Sequence, residues 1–258
     1  MDVERIRDVG LAAGARAGEI LCNYWGKTHT VGKKGATDLV TEADLASEKA
    51  ITQLIRTAFP EHSILAEESG ITFGTDSCRW IIDPLDGTTN FAHGLPEFTL
   101  SIAFAYEEAL VFGLVLNPVS EELFCGIRGR GATLNGRTIH VSSADNLGES
   151  LLVTGFPYEL KPVIDPLMQR FERCLMAAQG IRRLGSAALD LCYVACGRFE
   201  GFWEQNLAPW DTAAGVVIAQ EAGATISDFS NEPYSIEKKE ILATNGHIHE
   251  KLATLLRL

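Results

Sequence analysis

The chain has 258 residues, a hydrophobic content of 46% and a formal net charge of −12. This length and composition can bury a large core, as one big domain or as two tightly fused halves. The acidic balance argues against sequence-independent binding of nucleic acid, which relies on Lys and Arg against phosphates. It does not exclude a small phosphorylated substrate whose charge is masked by metal ions.

The cysteine pattern and the N-terminal residues indicate the cellular compartment. Six cysteines occur, none in a C-x-x-C pair or a zinc-type spacing, and Cys192 and Cys196, four apart in a helical pattern, are interpreted as small core residues. The first residues lack the basic and apolar regions of a signal peptide, and no run of about 18 apolar residues is present. We therefore expect a cytoplasmic protein without a membrane span.

Two helices are predicted first in the chain. Residues 3–26 have helical periodicity. A polar, Gly-containing segment follows at 27–40. The next helix is predicted to start near Thr41, because Thr41 and Asp44 have the spacing of a capping box, and to end at Pro60.

A β-rich region comes next, and the remainder alternates helices with strands. The predicted strands are 63–66, 80–82, 98–106, 110–117, 122–128, 150–154, 181–184, 199–204, 224–228 and 240–243, with a turn at Asn135-Gly136. The later predicted helices are 164–179, 186–196, 211–222 and 246–257. A boundary near 140–148 predicts two tightly fused halves that act as one unit, an α+β half at 1–145 and an α/β half at 146–258.

Two carboxylates close together are the most informative feature. Asp83 and Asp86 flank Pro84-Leu85 directly after the apolar run 80–82, and no Lys or Arg lies between Arg79 and Arg128. An unpaired buried charge must be neutralised or matched by a cation. Because hard oxygen ligands suit Mg²⁺ or Mn²⁺, the sequence predicts a divalent metal ion at this strand end.

Other acids stand at similar places, at the ends of predicted strands or the starts of predicted helices. They are Asp44, Glu67, Glu68 and Asp211. If these places meet, the carboxylates cannot all stay ionised without cations. Taken singly, each has an ordinary explanation as a helix-start or surface acid.

The residues after Asp86 suggest how a phosphate is held. Gly87-Thr88-Thr89 is predicted to begin a helical turn, whose exposed N–H groups attract anions. Thr88 is placed to hydrogen-bond a water molecule, with Asp44 accepting the proton as general base. These inferences favour phosphoryl-group hydrolysis by an activated water.

Two segments match family signatures. Residues 80–91 read W-I-I-D-P-L-D-G-T-T-N-F, against W-x-I-D-P-[IL]-D-G-T-x-N-F. The second signature is W-D-x-A-A-G followed by E-A-G-G. Residues 210–215 read W-D-T-A-A-G, and residues 221–224 read E-A-G-A, with Ala in place of the last Gly. With further matches at Glu67-Glu68-Ser69 and at 38–44, the chain resembles the inositol monophosphatase family, part of the lithium-sensitive, Mg²⁺-dependent phosphatase superfamily, over about 5–250.

The resemblance implies a fold and a set of metal ligands. The fold is α+β, a layered α-β-α-β-α sandwich of the inositol monophosphatase and fructose-1,6-bisphosphatase type. Two or three Mg²⁺ ions per site are implied, with Mn²⁺ as an alternative. The implied ligands are Glu67, Asp83 and the Leu85 carbonyl for the first ion, and Asp83, Asp86 and Asp211 for the second, with Glu67 touching a third, weaker ion.

Catalytic and substrate roles are implied in the same way. Asp44 and Thr88 resemble the pair that activates the attacking water, with Glu67 beside them. The implied substrate contacts are Asp86, Gly87 and Thr88 for the phosphate, and Arg183, Gly185, Ser186, Ala187, Glu204 and Asp211 for the alcohol. The stretch 182–191 resembles the bacterial inositol-1-monophosphatase branch in particular.

The expected function is Mg²⁺-dependent hydrolysis of a small phosphorylated polyol or sugar, inositol monophosphate first. The alternatives within the superfamily are fructose-1,6-bisphosphatase, histidinol-phosphate phosphatase and 3′-phosphoadenosine 5′-phosphate phosphatase. A non-catalytic partner protein that senses phosphosugar or metal is the alternative from another class. The resemblance also implies a homodimer, and no nucleic-acid or membrane partner is expected.

Overall fold

The computed structural model describes residues 1–27, 31–33, 39–75 and 77–258, and only the backbone at 31–33 and 39–40. Asp38, at the start of the 38–44 match, lies outside the described residues. The helices are α1 (Val3–Tyr24), α2 (Glu42–Ala58), α3 (Thr88–Ala92), α4 (Ile164–Ala177), α5 (Ala187–Ala195), α6 (Pro209–Glu221) and α7 (His249–Leu256).

The strands form three sheets. They are β1 (Val31–Lys33), β2 (Leu39–Thr41), β3 (Ser63–Ala66), β4 (Gly70–Thr72), β5 (Cys78–Asp86), β6 (Thr99–Tyr106), β7 (Ala109–Asn117), β8 (Glu122–Ile127), β9 (Gly131–Leu134), β10 (Arg137–Thr138), β11 (Leu151–Thr154), β12 (Gly180–Arg182), β13 (Gly201–Gln205), β14 (Thr225–Ser227) and β15 (Glu240–Thr244). The large sheet has the order β10-β9-β8-β7-β6-β5-β3-β4, the second β12-β11-β13-β15-β14, and β1 pairs with β2.

The large sheet and the second sheet each contain parallel and antiparallel strand pairs. In the large sheet β3 is parallel to β5, and the other pairs are antiparallel. In the second sheet β11 is parallel to β12 and β13, while β15 is antiparallel to β13 and β14. All strands of the large sheet precede residue 145 and all strands of the second follow residue 146. The division into two halves stays a prediction.

The first apolar layer lies between α1, α2 and the large sheet. Ile6 and Ile51 belong to the same buried cluster as Trp80 and Ile82 of β5. Ile81, between them in sequence, belongs to the cluster on the opposite face. This alternation follows from the two-residue period of a strand, and it explains why a strand covered on both faces has a continuous apolar sequence.

The central helices α5 and α6 fill the space between the two sheets. Ala214 and Ile218 of α6 pack on the large sheet, whereas Leu191 and Val216 pack toward the second. The middle of α6 is apolar on all sides because neighbouring elements bury it on all sides. A Cβ at Gly113 of β7 would lie 2.4 Å from the Ala214 carbonyl oxygen, so the backbones of sheet and helix touch.

Helices α4 and α7 complete the last layer. Cys174 of α4 and Leu252 and Leu256 of α7 share a cluster with Leu152 and Trp203 of the second sheet. The layers therefore run α-β-α-β-α, as predicted. Within the parts of the chain that the structure describes, none of the helices combines the length and apolarity needed to cross a bilayer.

Candidate active site at the ends of the central strands

A bulge near the end of β5 sets the positions of the first two carboxylates. Asp83 pairs with Ser101 of β6 and Asp86 pairs with Thr99, so three steps along β5 oppose two along β6. Pro84 within the bulge has no N–H to leave unpaired. The Leu85 N–H donates to Asp83 Oδ1 at 2.9 Å, and the chain turns at Gly87.

Gly87 is required by both conformation and space. Its φ is +94°, in the left-handed region, and a Cβ there would lie 2.9 Å from the Glu97 carbonyl oxygen. Helix α3 begins at Thr88, so the predicted helical turn is confirmed. The first N–H groups of a helical turn have no intrahelical acceptor and point outward.

Asp44 acts as a helix cap and also contacts Thr88. It is the third residue of α2, and its Oδ2 accepts the Thr41 N–H at 2.8 Å and the Thr41 hydroxyl at 2.5 Å, which confirms the capping box. The Thr88 hydroxyl lies 3.3 Å from Asp44 Oδ1 and 3.0 Å from the Leu85 carbonyl oxygen. The structure therefore brings the predicted water-activating pair together. Burial raises the pKa of Asp44, against the hydrogen bonds from Thr41.

Asp86 is bonded to the other half of the chain. Its Oδ2 accepts the Ser186 hydroxyl at 2.7 Å and the Ala188 N–H at 2.8 Å, at the N-terminus of α5. Ser186 also accepts the Leu189 N–H at 3.3 Å as the cap of that helix. One carboxylate oxygen thus joins the first signature to the segment predicted to line the pocket.

Asp211 enters from the start of α6. Its Oδ2 accepts the Ala208 N–H at 2.7 Å, so it stands in the first helical turn as the sequence suggested. The preceding carbonyl, of Trp210, accepts the Ser101 hydroxyl at 3.1 Å. This bond fixes the helix start beside β6, at the residue that pairs with Asp83.

The carboxylates repel one another. Burial, followed by the charges of Glu67, Asp86 and Asp211, raises the pKa of Asp83 well above its ordinary range. Burial and then Asp86 raise the pKa of Asp211 to about 8. Burial raises the pKa of Asp86 to about 6, even though Ser186 and Ala188 donate to it.

The donor set fits divalent cations such as Mg²⁺. Glu67, Asp83, Asp86, Asp211 and the Leu85 carbonyl offer only hard oxygen atoms, and their mutual repulsion is what a cation relieves. Among the residues that the structure describes, no group of three or more His, Cys, Asp or Glu side chains is already arranged to hold a metal ion. The match therefore lies in ligand chemistry and charge, and the side chains must adjust to close around an ion.

The residues on the alcohol side surround a carboxyl group. Glu204, at the end of β13, is buried, and burial followed by the charges of Asp211 and Asp86 raises its pKa to about 8. The positive charge of exposed Arg183 opposes that shift, as it does for Asp86. A Cβ at Gly185, whose φ is +98°, would lie 2.6 Å from Arg183 Nη1. Ser186 and Ala187 follow Gly185 and are buried at the start of α5.

Sequence reasoning missed three contributors. A Cβ at Gly155 would lie 2.1 Å from Glu204 Oε2, so the glycine makes room for that carboxyl. Asn90, inside the first signature, donates to the carbonyls of Leu184 at 2.8 Å and Glu97 at 2.6 Å and so links α3 to the pocket segment. No local pattern marks Gly155, whereas the signature itself marks Asn90.

Asp190 is the third missed residue. It is 1% exposed on α5, and within the described chain neither carboxylate oxygen has a hydrogen-bond partner. Burial, then the charges of Glu204 and Asp86, raise its pKa well above the ordinary range. A single acid inside the apolar run 187–195 was the signal in the sequence.

Comparisons with known proteins identify the family of the chain. The model of the inositol monophosphatase family matches residues 2–258. A Synechocystis protein described as inositol-1-monophosphatase is 45% identical over 99% of this chain and 90% of its own length. A Pseudomonas aeruginosa protein described as Nus factor SuhB is 42% identical over 97% of this chain and 95% of its own length.

A solved structure shows the same fold. The structure of an inositol monophosphatase from Anabaena (Nostoc) superimposes with a TM-score of 0.91 at 42% identity, covering 99% of this chain and 96% of that one. With the family model matched along nearly the whole chain, the resemblance seen in the signatures is confirmed. The chain belongs to the inositol monophosphatase family and is a phosphoric monoester hydrolase.

Proposed function

We propose that this enzyme hydrolyses inositol monophosphate to inositol and phosphate with Mg²⁺ as its cofactor. The observation that carries the proposal is the contact between Thr88 and Asp44 beside Asp83, Asp86 and Asp211. A family member that only sensed phosphosugar or metal would have no need of the Thr88–Asp44 pair. Glu67, Asp83, Asp86, Asp211 and the Leu85 carbonyl would hold the ions, which when bound neutralise phosphate charge and acidify water.

The protein groups divide the work as follows. The N–H groups of Gly87 and Thr88 bind phosphate oxygens at the start of α3. The Thr88 hydroxyl orients the attacking water, and Asp44 Oδ1 accepts its proton, since this oxygen is not occupied by Thr41. Water oxygen bonds to phosphorus as the bond to the alcohol oxygen breaks, and that oxygen then takes a proton from solvent.

Preference for a polyol is assigned to Glu204 and Arg183. The Glu204 carboxyl is held against Gly155 and presents hydrogen-bonding oxygens to ring hydroxyls, and Arg183 balances its charge. In this proposal Asp211, besides binding a metal ion, also contacts the alcohol part of the substrate. Fructose 1,6-bisphosphate, histidinol phosphate and 3′-phosphoadenosine 5′-phosphate remain the alternative substrates.

A substrate panel with Mg²⁺ tests the assignment. We expect inositol 1-phosphate to have the highest kcat/KM and Li⁺ to inhibit its turnover. Equal or better turnover of fructose 1,6-bisphosphate would overturn the inositol assignment while leaving a phosphatase. Asp86→Asn should abolish most hydrolysis, and undiminished activity in that variant would refute the role given to the carboxylates.

The assembly and compartment predictions need their own measurements. Light scattering on the purified chain tests the predicted homodimer, and a monomer at micromolar concentration would contradict it. Fractionation of the source cells tests the cytoplasmic prediction.

A further inference from the structure

A cleft opens at the end of β13, the strand that carries Glu204. It encloses about 480 Å³, between the start of α4 at Val163, the end of β13 at Gln205 and Asn206, and the segment Lys238-Lys239 before β15. That volume is in the range of small-molecule sites. None of the site residues assigned above lines it.

The positively charged side chains in this cleft outnumber the negatively charged ones by one. Arg170, Lys238 and Lys239 line it together with Asp228 and Glu240. Asp228 Oδ2 lies 2.6 Å from Lys238 Nζ, and its Oδ1 accepts two backbone N–H groups of its own loop, each at 2.9 Å. Glu240 lies 3.6 Å from Arg170. Within the described parts of the chain Lys239 forms no ion pair, so a chain of net charge −12 keeps a locally cationic cleft.

Arg170 is fixed in place before any ligand arrives. Its Nε donates to the Leu256 carbonyl at 2.9 Å and its Nη1 to Gln205 at 2.8 Å, and its guanidinium lies 4.9 Å from the centre of the Phe229 ring. A guanidinium held in this way loses little side-chain entropy when it binds an oxyanion. Helix α4 begins here without a side-chain cap at Val163, and Asp165 in its first turn offsets the positive helix end, so the cationic character of the cleft comes from its lysine and arginine side chains.

The cleft adjoins the candidate active site along β13, because Gln205 and Asn206, which line the cleft, directly follow Glu204. The Asn206 N–H donates to the Lys239 carbonyl at 2.6 Å, which ties this lysine to the strand end that carries Glu204. A ligand held at Lys239 is therefore next to the pocket where the alcohol is placed.

We propose that this cleft is a second phosphate-binding site, in which Lys239 joins Arg170 and Lys238 to hold a phosphate group. That group is either the distal phosphate of a bisphosphorylated substrate or a free phosphate ion. Only the first source rests on the proposed function. Lysine ammonium and arginine guanidinium groups are the side chains that match phosphate oxygens.

Phosphate binding to the metal-free protein is the first test. The protein in EDTA is titrated calorimetrically with sodium phosphate at constant ionic strength and pH 7.5, because the catalytic carboxylates repel phosphate when no cation is bound. Wild type should bind with one saturable phase, Lys239→Gln should bind at least about fivefold more weakly, and Lys239→Arg should recover binding. Lys251→Gln, on α7 away from the cleft, removes the same charge and should match wild type. No saturable phase, or equal loss in Lys239→Gln and Lys251→Gln, overturns the proposal.

The kinetic arm separates the two sources. With Mg²⁺, the ratio of kcat/KM for fructose 1,6-bisphosphate to that for inositol 1-phosphate is compared among the same variants. A fall of about fivefold in Lys239→Gln alone identifies the distal phosphate of the substrate. An unchanged ratio with weakened phosphate binding identifies free phosphate as the ligand. Absence of any hydrolysis refutes the proposed function but leaves the calorimetric result valid.

Discussion

The metal-free enzyme should become less stable as the pH rises from 5 to 8. The perturbation is removal of divalent cations with EDTA, which leaves the carboxylates at the strand ends uncompensated. Burial and mutual repulsion raise the pKa of Asp211 and of Glu204 each to about 8, from 3.8 and 4.5. Because the folded state binds these protons more tightly than the unfolded state, their contribution is complete below about pH 4 and is lost as the pH passes through about 8.

The magnitude follows from the size of the shifts. One pKa unit corresponds to about 1.4 kcal/mol, so Asp211 alone accounts for roughly 6 kcal/mol over its whole range. The two groups repel each other, so protonation of one relieves the other and their contributions do not add. Between pH 5 and 8 we expect a loss of about 3–5 kcal/mol in the free energy of unfolding.

Urea unfolding followed by tryptophan fluorescence at pH 5, 6, 7 and 8 measures this loss. Mg²⁺ at millimolar concentration should restore most of the stability at pH 8 and little at pH 5. Asp211→Asn should flatten the metal-free profile, while Asp145→Asn, at an exposed position, should leave it unchanged. A metal-free stability that is flat or rises from pH 5 to 8 would refute the electrostatic account of the site.

Three further outcomes test single contacts. Thr88→Val should lower kcat by about 100-fold at nearly constant KM, because it removes the hydroxyl that reaches Asp44, and Thr88→Ser should recover most of the rate in steady-state assays. Gly155→Ala should raise KM for inositol 1-phosphate by about tenfold, because the new methyl group would stand 2.1 Å from the Glu204 carboxyl. The change in KM for p-nitrophenyl phosphate should be smaller. Equal changes in KM for both substrates would contradict the role of Glu204. Asp190→Asn should stabilise the metal-free protein at pH 8 by about 1–2 kcal/mol in urea unfolding, since it removes an acid whose ionisation is opposed by burial and by the absence of hydrogen-bond partners in the described chain. A loss of stability would show that the carboxyl group has a favourable partner.

Features with a local cause were predicted well. The capping box at Thr41 and Asp44, the turn at Asn135-Gly136 and the helical start after Gly87 all appear where the sequence placed them. Each depends on residues within a few positions of one another. Helix α6 begins at Pro209, two residues before the predicted start, as expected for element ends.

Features with a distant cause were missed or shortened. The predicted strand at 80–82 is the middle of β5, which extends from Cys78 to Asp86 through a bulge that only the pairing with β6 reveals. The strand β4 has two exposed residues and no apolar alternation, and it exists because β3 supplies its hydrogen bonds. The pair β1 and β2 was likewise missed, because all of β1 and most of β2 lie in the segment 27–40, whose sequence is polar.

The sequence by itself determined the family and the reaction class, and it predicted Asp83, Asp86 and Asp211 as site carboxylates, because two signatures hold those residue types at fixed spacings. Tertiary structure alone decided how they meet: Asp86 reaches the start of α5, Thr88 reaches Asp44, and Glu204 fits against Gly155. It also showed Asp190 without a partner in the described chain and the cationic cleft at Lys239. Those contacts join residues tens of positions apart, and their energies depend on burial and distance, which no local pattern of residues contains.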